Sequence, residues 1–152
     1  MKKIALLFCF LVPVTAHGMA NPWVEGSRSE IIAQASFNPP VAVSIERCGH
    51  STVWRYLKSD GLIEAICPRG GQAETRVRVS KKPLGGDYIV YTGTAHEMYK
   101  TVAVTLRKGN SGVNYVRAEF RVKEYYYSID IKPGTDLNAM MHQVRSVIDK
   151  AQ

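Results

Sequence analysis

Along most of this chain apolar and polar residues alternate one for one, the period of a strand with a single buried face. In residues 75–81, Val77 and Val79 fall on one side, with Arg76 and Arg78 on the other. Val102, Val104 and Leu106 repeat the pattern over 101–107, and Val116, Ala118, Phe120 and Val122 carry it through the longest run, 113–123. Further strands are expected at 41–45, through Val41, Val43 and Ile45, and at 88–94 and 125–131. Between the runs stand Pro68-Arg69-Gly70-Gly71, Pro83-Leu84-Gly85-Gly86 and Lys108-Gly109-Asn110-Ser111-Gly112. These are turn sequences, because glycine tolerates positive φ and proline cannot donate to a ladder.

Two stretches leave this period. Ser27-Arg28-Ser29-Glu30 has the spacing of a capping box, and Ile31, Ile32 and Ala35 follow as a short apolar stripe. A helix of two or three turns is expected over 27–36, ended by Asn38-Pro39-Pro40. Near the other terminus Lys132-Pro133-Gly134 stops the strand pattern, and Thr135 or Asp136 can cap a helix. Leu137, Met140, Met141, Val144, Val147, Ile148 and Ala151 then recur at helical spacing. Residues 52–58 fit both periods: Val53, Trp54 and Leu57 would share a helical face, while Thr52-Val53-Trp54-Arg55-Tyr56-Leu57 also has strand propensity. A hairpin is preferred, turning at Ser59-Asp60-Gly61 and returning over 62–67.

The C-terminal stripe must be buried, and the apolar face of the sheet is the surface available to it. The expected fold is α+β: a single antiparallel β-sheet of six to eight strands, a meander, packed on a C-terminal amphipathic helix, with a short N-terminal helix. That outline is similar to helix-grip lipid-binding domains, and Ser51-Thr52-Val53-Trp54-Arg55-Tyr56-Leu57 resembles their first helix. The resemblance is one of architecture and assigns no function.

Composition alters this picture mainly through processing. With 45% apolar and 22% charged residues the chain is of ordinary globular type, which excludes disorder, collagen and a multi-span membrane protein. Met1-Lys2-Lys3, an apolar stretch over 4–14, and small residues at Ala16, Gly18 and Ala20 have the layout of a secretory signal peptide, expected over 1–20. The apolar stretch is shorter than the roughly 20 residues that span a bilayer. Cleavage after Ala20 and cleavage after Ala16 both fit. Cys9 lacks the small residues that precede a lipoprotein cysteine, so no lipid anchor is expected. Cutting after Ala20 leaves 132 of the 152 residues as one domain, 21–152, and lowers the formal charge from +7 to +5, since Lys2 and Lys3 leave with the signal. No later segment is long and apolar enough to be a transmembrane helix. The signal is of bacterial type, so the expected location is the periplasm, with secretion to the medium second.

Chemistry is harder to find. His50, His96 and His142 lie on separate elements, and His96-Glu97 opens a metalloprotease-like motif whose second histidine is replaced by Lys100. There is no G-x-S-x-G elbow, and Gly70-Gly71 and Gly85-Gly86 are not followed by a phosphate-loop Lys-Ser/Thr pair. Glu64, Glu74, Asp87 and Glu97 are scattered, and no carboxylate pair is predicted. No catalytic residue, metal or cofactor is expected, and the chain reads as non-enzymatic.

The positive charge says more by placement than by total. If the apolar side of each strand faces the helix, the other side presents Arg76, Arg78, Arg107, Tyr115, Arg117 and Arg121. In Tyr125-Tyr126-Tyr127, Tyr126 points away from its neighbours toward that side. A plain solvated sheet face is one reading. Arginine forks and tyrosine rings also suit a docking surface for an anionic partner. The partner expected is an envelope protein with an acidic surface, or else an anionic envelope polymer or lipid; nucleic acid is not, since +5 over 132 residues is modest. The function expected is therefore that of an exported, non-enzymatic periplasmic binding protein docking on a macromolecule, such as an inhibitor or immunity protein against an envelope-targeted toxin or hydrolase, or an accessory subunit of an envelope machine. The alternative is a carrier holding a small apolar ligand between sheet and C-terminal helix, where Met140 and Met141 could line a cavity.

Once Cys9 leaves with the signal, Cys48 and Cys67 remain, and in an oxidising compartment they form one disulfide. The mature protein should titrate with no free thiol. Changing both cysteines to serine should lower its unfolding free energy, read from urea denaturation, by about 3 kcal/mol, the chain entropy of the closed loop.

Overall fold

The computed structural model describes residues 22–38, 48, 52–69, 72–85, 91–109, 115–131 and 136–152. The expected signal peptide, the strand expected at 41–45, His50 and the Gly70-Gly71 turn lie outside them. In chain order come β1 (Trp23–Gly26), α1 (Arg28–Ala35), β2 (Val53–Leu57), β3 (Leu62–Arg69), β4 (Gln72–Ser80), β5 (Gly93–Tyr99), β6 (Val102–Lys108), β7 (Tyr115–Val122), β8 (Tyr125–Ile131) and α2 (Leu137–Ala151).

All eight strands join one antiparallel sheet in the order β1-β2-β3-β4-β8-β7-β6-β5. The expected single meander is thus two four-stranded meanders, β1–β4 and β5–β8, whose last strands pair. After Ser80 the chain leaves the sheet and re-enters at its far edge, so β8 closes the open side of β4. The pairing is apolar on one face, with Val77 opposite Ile129 and Val79 opposite Tyr127.

Residues 53–57 are a strand, which removes the helical alternative and with it the likeness to a helix-grip first helix. Trp54 and Tyr56 are buried on one side while Arg55 stands on the other, a period of two. Gly61, at φ 60°, takes the left-handed conformation that the turn into β3 requires. Cys48 bonds to Cys67 of β3, with Cα atoms 5.5 Å apart.

β5 lies at Gly93–Tyr99 and shares Gly93 and Thr94 with the strand expected at 88–94, of which residues 88–90 lie outside the described residues; β1 is an additional strand of four residues. β5 runs on past Thr94 to a tight turn. Tyr99 pairs with Val102 across a two-residue turn in which Lys100 holds φ 54°. Such turns normally carry glycine, asparagine or aspartate, so this one has no sequence signature.

Both helices form as their caps predict. Ser27 Oγ accepts from the Glu30 amide at 3.3 Å and Glu30 Oε2 accepts from the Ser27 amide at 2.7 Å, completing the capping box. Asp136 Oδ1 accepts from the Ala139 amide at 2.7 Å at the start of α2. α1 packs over β1, β2 and β3, and α2 over β7 and β8. Ile31 and Ala35 from α1, and Met140, Met141, Val144, Val147, Ile148 and Ala151 from α2, share one buried cluster with the apolar side of the sheet. Phe120 and Tyr127 stack at its centre, their rings 5.3 Å apart. The last turn of α2 is held by Asp149, which meets Lys100 Nζ at 2.7 Å and accepts from the Tyr99 hydroxyl. Among the described residues no helix is long and apolar enough to cross a membrane.

Candidate functional site

The alternation that buries one face of the sheet puts every second side chain on the other, which neither described helix covers. Register decides which of those side chains meet. Arg55 lies opposite Glu64, and Glu64 opposite Arg78. Arg76 lies opposite Asp130, Asp130 opposite Arg117, and Arg117 opposite Arg107. The outer face therefore carries interleaved charge across β2, β3, β4, β8, β7 and β6.

Glu64 is the hub of this lattice. It is 0% exposed and accepts from Arg55 Nε at 2.5 Å and Arg78 Nε at 2.6 Å. Arg76 Nε lies 3.3 Å from the same carboxylate but lacks hydrogen-bond geometry, so it contributes charge more than direction. Across the β7–β8 pair, Arg117 grips Asp130 through Nε and through Nη2, the latter at 3.0 Å. Arg107 donates to Glu119 from Nε at 3.0 Å and pairs with it through Nη2 at 2.8 Å, which raises its already high pKa. Among the described residues five arginines thus surround three carboxylates.

Aromatic rings stack against the guanidinium groups. Trp23 meets Arg55 at 4.4 Å, and Tyr91 meets both Arg107 and Arg117 at 5.4 and 5.7 Å. Burial, with Asp130 and Glu119 adding to it, pushes the Tyr91 pKa up to about 12, and its buried hydroxyl has no hydrogen-bond partner.

At one end of the lattice the sheet forms the floor of a pocket of about 360 Å³. Arg78, Ser80, Arg117 and Ser128 make the floor; the segment Lys82-Pro83-Leu84-Gly85 makes one wall, and Ser59, Asp60 and Leu62 at the β2–β3 turn make the other. The Lys82 amide donates to Ser80 Oγ at 3.0 Å, pinning the first wall to the floor. Ser128 is 1% exposed and its Oγ has no hydrogen-bond partner.

Of the residues expected at a docking surface, Arg76, Arg78, Arg107, Arg117, Arg121 and Tyr126 share this face. They do not form a uniform row. Arg78 and Arg117 are drawn down into ion pairs, with side chains only 14% and 6% exposed. Arg121 is exposed, donates to the Lys123 carbonyl at 3.0 Å, and lies over the Tyr126 ring at 5.0 Å. Tyr126 pairs in register with Ser80, beside the pocket. Tyr115 opens β7, but its side chain lies outside the described set. Arg55, Tyr91, Lys82, Glu119, Ser128 and Asp130 complete the site and were not singled out from the sequence. Part of the signal was there: Arg117-x-Glu119-x-Arg121 and Tyr126-x-Ser128-x-Asp130 each put three polar groups on one face. What the sequence lacked was the β4–β8 register that sets them beside Arg76 and Arg78.

Among the described residues no group of three His, Cys, Asp or Glu is arranged to hold a metal. His96 lies on edge strand β5, with Nδ1 3.5 Å from Thr105 Oγ1, and His142 is exposed on α2. Compared with known proteins, the chain matches no family model, no curated protein and no solved structure.

Two measurements check the lattice. Glu64→Gln leaves three arginines around a neutral amide and should lower stability by roughly 3 kcal/mol, the scale for breaking a buried ion pair. Adding Arg78→Met should recover part of that loss in the same urea experiment. Tyr91 gives a pH signature. Its folded pKa of about 12 exceeds the ordinary value of 10.0, so the folded state holds the proton more tightly. Its contribution is complete below pH 10 and is lost as pH rises toward 12. The native protein should lose more stability across that window than Tyr91→Phe does.

Proposed function

We propose that this chain is an exported, non-enzymatic binding protein of the periplasm that docks on an envelope protein with an acidic surface through the outer face of its sheet. The role it fits is that of an inhibitor or immunity protein against an envelope-targeted toxin or hydrolase, or of an accessory subunit of an envelope machine. The observation that carries the reading is the arginine-rich lattice, with more arginines than carboxylates among the described residues and uncovered by α1 and α2, and with Arg121 and Tyr126 exposed or half-buried at its end. Complementary charge steers encounter and fixes orientation, and an aromatic ring beside a cation is the usual make-up of an interface anchor. The apolar space under α2, where a carrier would hold its ligand, is occupied by Met140, Met141, Val144 and Ile148, all buried.

The test is affinity capture from periplasmic extract by the mature protein and by an Arg121→Glu, Tyr126→Ala variant, with mass spectrometry of what each retains. Neither substitution touches the Glu64 or Asp130 ion pairs, so an unchanged melting temperature should show that the fold persists. The expected result is an acidic protein retained by the native chain, with affinity at least tenfold lower for the variant. Retention of a lipid and no protein would overturn the reading in favour of the carrier.

A further inference from the structure

We infer that the pocket between the lattice and the 82–85 segment is a binding site for one carboxylate, supplied by an aspartate or glutamate side chain of the docked protein. The inference rests on the docking reading for the source of the carboxylate, but its chemistry comes from the pocket itself. Arg78 has the Glu64 carboxylate on its β3 side; on its β8 side the register places Ser128, a neutral hydroxyl. Ser128 lines the pocket, and its hydroxyl is buried with no hydrogen-bond partner. A buried donor is rarely left unpaired, and an acceptor entering the pocket would satisfy it.

The charges around it select the kind of acceptor. Arg78, Arg117 and Lys82 line the space and favour an anion, while Asp60 on the opposite wall limits how much negative charge is tolerated. A monoanion fits that balance better than phosphate, which carries close to two charges at neutral pH. Leu62, Pro83 and Leu84 supply apolar wall for the methylene groups of an acidic side chain. The volume of about 360 Å³ lies at the small end of the range for ligand pockets and accommodates one side chain with its flanking backbone.

The experiment titrates the mature full-length protein with N-acetylglutamate α-amide and, separately, with inorganic phosphate, following backbone amide shifts by NMR. The expected outcome is saturable movement of Ser80, Gly85 and Ser128 with the glutamate probe, and weaker binding of phosphate. Ser128→Ala removes a hydroxyl that bonds nothing in the free protein, so it should keep native stability yet weaken the probe about tenfold, as loss of a hydrogen bond to a charged group does. Leu84→Trp should fill the space and abolish binding. No saturation, equal binding to Ser128→Ala and Leu84→Trp, or tighter binding of phosphate would each overturn the proposal. Should the probe bind as expected while Leu84→Trp still captures the protein partner with native affinity, the carboxylate is not the partner's and the assignment falls, though the docking reading stands.

Discussion

A single carboxylate, that of Glu64, sits fully buried on the face of the sheet that carries no helix, with the guanidinium groups of Arg55, Arg76 and Arg78 around it. Taking such a group out of water costs several kcal/mol, and only well-formed hydrogen bonds with opposite charge offset that. Two of the three arginines supply them from the strands on either side of Glu64. The interaction therefore constrains more than charge. Sliding β2 or β4 by one residue would turn its arginine inward among Ile63, Ala65 and Val79, so the polar and apolar faces enforce the same register.

The same device operates beyond the β4–β8 pair. Arg117 with Asp130 ties β7 to β8, and Arg107 with Glu119 ties β6 to β7. Two meanders far apart in sequence are joined into one plate by a central seam that is apolar on one side, while the ion pairs on the other side lie within each meander. α2 lies over β7 and β8 next to this seam, and Tyr99 and Lys100 from the β5–β6 turn hold its last residues. The rigidity of the outer face thus follows from how the strands associate.

Much of this was legible beforehand because it depends on short-range pattern. The capping box at Ser27, the Asp136 cap, the stripe of α2 and the inward valines of β4 and β6 each need only a few consecutive residues. What escaped depends on contacts distant in sequence, or on a turn without a signature. Lys100 takes a positive φ with a side chain that normally avoids it, so the turn that ends β5 carries no signature. Single-meander order was the simplest assumption for six to eight strands, but nothing local announces that β4 pairs with β8. The registers of β2–β3–β4 and of β6–β7–β8 bring Glu64, Glu119 and Asp130 to their arginines, and the β4–β8 pairing sets the two groups side by side on one face. The parity of the arginines could be read from the sequence; their neutralisation could not.

That neutralisation changes what the face can offer a partner. An arginine already committed to a carboxylate adds little net attraction, yet it is held in one rotamer and loses little entropy on contact, so the centre of the lattice contributes shape and specificity more than affinity. Affinity has to come from where the interleaving of charge stops. Along the row from Arg55 through Glu64 to Arg78 the next position is Ser128, and along its neighbour Leu62 and Ser80 lead to Tyr126 and Arg121. Hydroxyls replace carboxylates there on the described strands, and the 82–85 segment rises to make a wall. Recognition is concentrated at this end because the face changes there from a flat run of ion pairs to a walled pocket beside Tyr126 and Arg121.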